Sequence, residues 1–141
     1  MKNLIKQKRI HIFGASGSGA TTLGANIAQV MNLKHLDADN YIWIAKIPPF
    51  GEIRGSLERN TLLDRDIRTH NSWVLAGLIC GWGDFAIRYF DIVIFLLVPK
   101  EERMKRYTSR YTKKFGNEIL DSGHPLHKRF KAFKTWASSY D

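Results

Sequence analysis

The chain predicts an α/β fold, helices layered on a parallel sheet. Two observations carry that prediction. Short apolar runs at Lys8–Phe13, Asn32–Leu36, Trp73–Ala76 and Asp91–Val98 alternate with stretches of helical spacing. The first three runs are followed by Gly14–Thr21, Asp37-Ala38-Asp39 and Gly77. Ligands of parallel sheets bind beyond the carboxyl ends of the strands, so these three features fall on one functional edge.

Lys8–Phe13 is short and apolar enough for a central strand. Thr22–Met31 follows as a helix, with Leu23, Ile27, Val30 and Met31 as its inner face. Asn32–Leu36 leads into the second strand, which closes a right-handed strand–helix–strand unit. Tyr41–Phe50 is aromatic and runs into Pro48-Pro49, predicting a loop or short helix and then extended chain. Gly51 and Gly55 punctuate the entry to a charged helix over Ser56–His70. Ser56 is its candidate cap, and Leu57, Leu62, Leu63 and Ile67 form its apolar side. Trp73–Ala76 is the third strand. After Gly81-Trp82-Gly83, Asp84–Tyr89 supplies one or two helical turns. Asp91–Val98 is apolar at successive positions, which predicts a strand buried on both faces and ended by Pro99. Glu101–Thr112 is a basic helix, Lys113–Pro125 a mobile connection, and Leu126–Tyr140 a last helix with Phe130, Phe133, Trp136 and Ala137 on one side.

A chain of 141 residues, 44% hydrophobic and 25% charged, suffices for one globular domain with a core. The single cysteine, Cys80, excludes an intrachain disulfide framework and a Cys-rich metal site, and suits a reducing compartment. The longest uninterrupted apolar run, Ile92–Val98, is too short to span a bilayer, and no long apolar region follows the basic Met1–Lys6. These features predict a cytoplasmic protein with no membrane partner. The net charge of +9 attracts polyanions: nucleotides, phosphorylated metabolites, nucleic acid. Between Lys100 and Lys134, Lys and Arg outnumber Asp and Glu by more than two to one.

Gly14-Ala15-Ser16-Gly17-Ser18-Gly19-Ala20-Thr21 has the spacing of a phosphate-binding loop, Gly-x-x-x-x-Gly-Lys-[Ser/Thr], with Ala20 in place of the lysine. Glycines let successive N–H groups turn inward around an anion, and the following helix adds its positive end. Gly14, Ala15, Ser16, Gly17, Ser18, Gly19, Ala20, Thr21 and Thr22 are therefore the candidate nucleotide-binding residues, with the Thr21 hydroxyl for Mg²⁺. An ammonium that follows charge into the transition state is worth about 10²–10³ in rate. Transfer through this loop thus requires a cation from elsewhere, and Arg103, Arg106, Arg110, Lys113 and Lys114 are the candidates. Arg103, Arg106 and Arg110 share one helix side, either as a clamp over phosphates or as a solvated face.

Asp37 and Asp39 stand where they can hold Mg²⁺ through water or accept a proton from an attacking hydroxyl. The same residues also suit a plain strand-end turn. Asp91 precedes its strand, at the wrong edge, and reads as structural. Arg54 can serve an anionic acceptor. Trp43, Phe50 and Trp82 suit either ring stacking or the core. His11, His35, His70, His124 and His127 show no metal-ligand spacing.

With these residues in place the chain resembles the P-loop kinases of the adenylate kinase and shikimate kinase type. More narrowly, it resembles bacterial adenylate-kinase-like ATPases, some described as topology modulation proteins. The resemblance rests on Phe13–Gly19, Leu36–Asp39 with Trp43, Pro48-Pro49-Phe50, Arg54, Trp73–Gly77, Gly81–Asp84, Phe90-Asp91, Arg103–Arg110, Phe115-Gly116, Trp136-Ala137 and Tyr140-Asp141. It implies a three-layer P-loop NTPase fold in a single domain, a fifth strand beyond Asp141, and a mobile basic lid around 103–125. It implies ATP and Mg²⁺ as cofactors, the metal on Thr21 and Asp37, and a small nucleotide or metabolite as acceptor. Asp37, Asp39 and Arg54 would serve that acceptor, and Arg106 and Arg110 would be the lid arginines. The expected function is a nucleotide-dependent phosphotransferase. The alternative, favoured by Ala20 and the basic charge, is a nucleotide-binding regulatory or nucleic-acid-associated module without transfer chemistry.

Overall fold

A computed structural model of the chain describes residues 8–44 and 52–140. The basic N-terminus, Pro48-Pro49-Phe50, Gly51 and Asp141 lie outside the described residues. The chain forms two compact units: one runs to Phe13 and resumes over Ala20–Phe95, and the other joins Gly14–Gly19 to the chain from Leu96 onward.

The first unit carries the parallel sheet, β1 (Arg9–Gly14), β2 (Lys34–Asp37), β3 (Trp73–Ala76) and β4 (Ile92–Leu96), in the order β2-β3-β1-β4. The helices α1 (Ala20–Met31), α2 (Ala38–Ile42) and α3 (Ser56–Thr69) interleave with it. β3 lies between β1 and β2, parallel to both, and its residues Trp73–Ala76 are fully buried. Its side chains divide by strand alternation. Trp73 and Leu75 join Leu36, Tyr41, Leu63, Ile67, Ile79 and Ala86 in one core, formed with α2, α3 and a 3₁₀ turn over Asp84–Tyr89. Ala76 meets α1 on the opposite face, where a Cβ on Gly24 would lie 2.9 Å from the Ala76 methyl. Helix, sheet and helices make three layers.

That close approach revises the inner face of α1. Ala20, Gly24 and Ala28 are its buried residues, four apart, whereas Val30 is 86% exposed. Small residues let the helix lie near the sheet, and the larger side chains flank the contact. In α3, Leu63 and Ile67 are buried as expected, but Leu57 is 82% exposed, because the first turn projects past the core. Ser56 does not cap α3: Gly55 occupies the cap position and supplies no side-chain bond.

β4 departs furthest from expectation. Ile92, Val93 and Phe95 are exposed, and Leu97 just beyond the strand is more so. The strand lies at the edge of the sheet order, so composition that suits a doubly covered strand here meets no cover among the described residues. Its start is fixed by Asp91, whose N–H donates to the Arg9 carbonyl (2.9 Å) and whose Oδ2 accepts from the Arg9 N–H (2.9 Å). Asp91 is structural, as its position before the strand implied.

The second unit holds α4 (Lys100–Phe115), a 3₁₀ turn over Asn117–Leu120 and α5 (His127–Ser138). Arg103, Tyr107, Tyr111 and Phe115 recur every fourth residue along α4. The last three pack with Ile119, Leu126, Phe130 and Phe133. α4 runs one turn past Thr112 and ends at Gly116, whose φ of 84° terminates it. Trp136, expected on the buried side of α5, is half exposed and stacks edge-on against Tyr140. His124 and His127 serve local turns: the His124 Nδ1 accepts from the Leu126 N–H (3.1 Å) and the His127 ring bonds the Ile119 carbonyl (2.9 Å). No helix among the described residues is long and apolar enough to cross a membrane.

Candidate functional site

Backbone sterics dictate the shape of the glycine loop. A Cβ on Gly14 would fall 2.5 Å from the Leu96 carbonyl oxygen and 2.6 Å from the Ser18 Oγ, so only glycine fits there. Gly17 and Gly19 adopt φ of 86° and 95°, conformations that side chains disfavour. The Ser18 N–H closes a turn onto the Ala15 carbonyl at 2.9 Å. The loop then runs directly into α1, whose first residue is Ala20.

Two arginines of α4 hold the carbonyl side of this loop. Arg103 Nη1 donates to the Ser16 carbonyl at 3.3 Å. Arg106 Nη1 donates to the Ser18 carbonyl at 3.3 Å and, at longer range, to the Gly17 carbonyl at 3.5 Å. In a trans peptide the N–H points opposite to the C=O. With the carbonyls of Ser16 and Ser18 turned toward guanidinium groups, the N–H groups of Gly17 and Gly19 are turned away from them. The result is a loop with one cation-facing side and one donor side, which is how backbone nests take anions.

The three arginines share a side of α4 but not an environment. Arg103 is fully buried, Arg106 is half exposed and also bonds Glu102 (3.1 Å), and Arg110 is exposed. The expectation of Arg103 as one of a row of available cations is therefore corrected: its guanidinium lies inside, on backbone carbonyls. The recurrence of Arg103 with Tyr107, Tyr111 and Phe115 at four-residue spacing was the sequence signal for that burial. Lys113 and Lys114 are exposed at the end of α4. Thr21 and Thr22 are exposed in the first turn of α1, and Ala20 is buried.

The remaining candidates gather around α2 in the first unit. Asp37 stands in register with Ala76, which is itself in register with Ile12, so β2 and β3 end together and β1 runs two residues further, to Gly14. Gly77 continues this edge at φ 102°, donating its N–H to the Ile12 carbonyl (2.9 Å), and a Cβ on it would lie 2.8 Å from the Ala38 Cβ. Asp37 caps α2, its Oδ1 accepting from the Asp39 N–H at 3.0 Å, so the strand-end turn is real. Asp39 is exposed. Arg54 donates through Nε to the Tyr41 carbonyl (3.1 Å) and pairs through Nη1 with Glu58 (2.5 Å). The Tyr41 hydroxyl donates to Asp66 (2.8 Å), and burial together with that carboxylate raises its pKa well above the usual tyrosine value. Trp43 bridges to Ile53, and the Trp82 indole donates to the Leu78 carbonyl (3.2 Å) with Arg59 over its ring. The Trp82 ring is thus held by the fold.

No family model matches the chain. Among solved structures, it superposes on a shikimate kinase from Bacteroides thetaiotaomicron with a TM-score of 0.56 and 24% identity, over 92% of this chain and 77% of that one. It superposes on a shikimate kinase from Acinetobacter baumannii, solved with shikimate, with a TM-score of 0.55 and 23% identity, over 94% of this chain and 78% of that one. These matches show that the chain shares the fold of the two shikimate kinases. A sequence relative, the uncharacterized protein YqaC of Bacillus subtilis, is 43% identical over 135 residues, 96% of this chain and 74% of that protein. The chain belongs to the family of YqaC.

Proposed function

We propose that the chain is a small P-loop kinase-like phosphotransferase that binds ATP on Gly14–Thr22. The observation that carries the reading is the two-sided loop: Gly17 and Gly19 at positive φ, with the Ser18 carbonyl held by Arg106. Arg106 here stands on the carbonyl side of the loop, and supplies the positive charge that Ala20 lacks only when it swings to the donor side. In the closed enzyme, Arg106 and Arg110 meet the transferring phosphoryl group, within a lid around 103–125. Asp37, Asp39 and Arg54 serve the acceptor, a small nucleotide or metabolite, with Asp37 or Asp39 taking the proton of its hydroxyl. The Thr21 hydroxyl and the Asp37 carboxylate are oxygen donors of the kind Mg²⁺ takes, alongside waters and phosphates. A magnesium ion held there would supply charge neutralisation at the phosphates.

The test is ADP release from ATP–Mg²⁺ over a panel of nucleotides and small hydroxy acids. Arg106→Ala should lower the rate by about 10²–10³. No turnover above that of Thr21→Ala refutes transfer chemistry. The buried methyl of Ala20 at the lysine position favours a second reading, a loop that holds nucleotide without transferring phosphate. Calorimetric ATP binding with no ADP release, tightened by Ala20→Lys, would select it.

A further inference from the structure

We propose that Arg103 is a positioning residue for the phosphate loop, tying the Ser16 peptide to the last turn of α5 so that the state of α5 sets nucleotide affinity. The inference rests on the nucleotide reading above. Arg103 is fully buried in the second unit. Its Nε donates to the Val98 carbonyl (3.0 Å), and its Nη1 donates to both the Ser16 carbonyl (3.3 Å) and the Ala137 carbonyl (3.1 Å). One side chain thus joins the chain after β4, the middle of the loop and the end of α5.

A buried guanidinium is costly unless its donors are matched. Here they are matched by carbonyls that themselves need donors. Ala137 lies in the last turn of α5, where carbonyls have no partner within the helix. The Ser16 carbonyl belongs to a loop peptide whose orientation glycine neighbours leave open. Holding that carbonyl on Arg103 fixes the opposite direction for the Gly17 N–H, one of the donors on the anion side. The backbone of Arg103 also abuts the loop: a Cβ on Gly17 would fall 2.9 Å from the Arg103 carbonyl oxygen and 3.1 Å from its Cβ. Because Nη1 is shared, displacement of Ala137 at the end of α5 is felt at Ser16.

A purely structural staple between α4 and α5 would make the same bonds, and the experiment separates the two. ATP–Mg²⁺ binding is measured by calorimetry on the full wild-type chain, on Arg103→Lys and on Arg103→Met, well below their melting temperatures. Lysine keeps the charge but lacks the planar fork that reaches several carbonyls. The expected result is ATP affinity weakened about tenfold in Arg103→Lys and further in Arg103→Met. In the wild-type chain, saturating ATP should slow amide exchange in the last turn of α5, Thr135–Ser139. Folded Arg103→Lys that binds ATP within about twofold of wild type overturns the proposal, and so does unchanged α5 exchange on ATP binding. Should Arg103→Met fail to fold, the lysine variant and the exchange measurement decide. A wild-type chain that takes up no ATP overturns the nucleotide reading itself, in an arm independent of Arg103.

Discussion

Replacing Gly17 by alanine asks how rigidly α4 dictates the loop. Gly17 sits at φ 86°, where an L-residue pays about 1–2 kcal/mol. The new methyl would stand 2.9 Å from the Arg103 carbonyl oxygen and 3.1 Å from the Arg103 Cβ. Neither is the far end of a flexible side chain, so the overlap adds about 1–3 kcal/mol. The sum, about 2–5 kcal/mol, is a large part of a small domain's stability. Two glycines separate the contributions. Gly81 has φ 79° but open space around its Cβ position, so Gly81→Ala should cost only the backbone term of about 1–2 kcal/mol. Gly123 has open space and no positive φ, so Gly123→Ala should be neutral or stabilise by about 0.4–1 kcal/mol. Urea unfolding followed by tryptophan fluorescence reads all three, with midpoints compared at constant slope. The reasoning is refuted if Gly17→Ala is as stable as Gly81→Ala, for the loop would then move freely off Arg103.

Two further predictions concern the first unit. His11 is buried, stacked on Phe13 and Phe90, and burial holds its pKa below the ordinary value despite its bond to the Leu75 carbonyl. Its folded pKa lies below its unfolded one, so the unfolded chain binds more protons in acid. Stability should fall as pH drops below about 6.5, by at most about 1.4 kcal/mol per unit, and this component should vanish in His11→Phe when urea midpoints are compared at neutral and mildly acid pH. Leu75 is fully buried at the centre of the sheet, so Leu75→Ala should cost about 2–5 kcal/mol in the same unfolding assay. Exposed Leu57→Ala should change stability by less than about 0.5 kcal/mol, and equal costs at the two positions would contradict the assigned core.

The elements and the loop were legible because local rules govern them. Apolar period separates strand from helix within a few residues, and the glycines at positions 17 and 19 announce a backbone that side chains cannot follow. The convergence of Gly14, Asp37 and Gly77 on one sheet edge followed from the direction of a parallel sheet, and the register of Ile12, Ala76 and Asp37 agrees. Local pattern therefore fixes this alternation, the glycine loop and the edge on which the candidate residues end.

Tertiary structure alone decided which surfaces are covered. The insertion of β3 between β1 and β2 and the edge position of β4 are choices among strand orders that share one local pattern, so a run as apolar as Ile92–Leu96 carries no mark of its exposure. Val30 and Leu57 lie at helical spacing yet face outward, since period fixes which residues share a side but not which side meets a neighbour. The sharpest case is α4. Arg103 and Arg110 stand two turns apart on nearly the same side, with the same chemistry. One is level with the Ser16 and Ala137 carbonyls and lies buried on them; the other meets solvent. Charge and spacing are local properties, whereas burial of a guanidinium depends on carbonyls brought to it from 87 and 34 residues away.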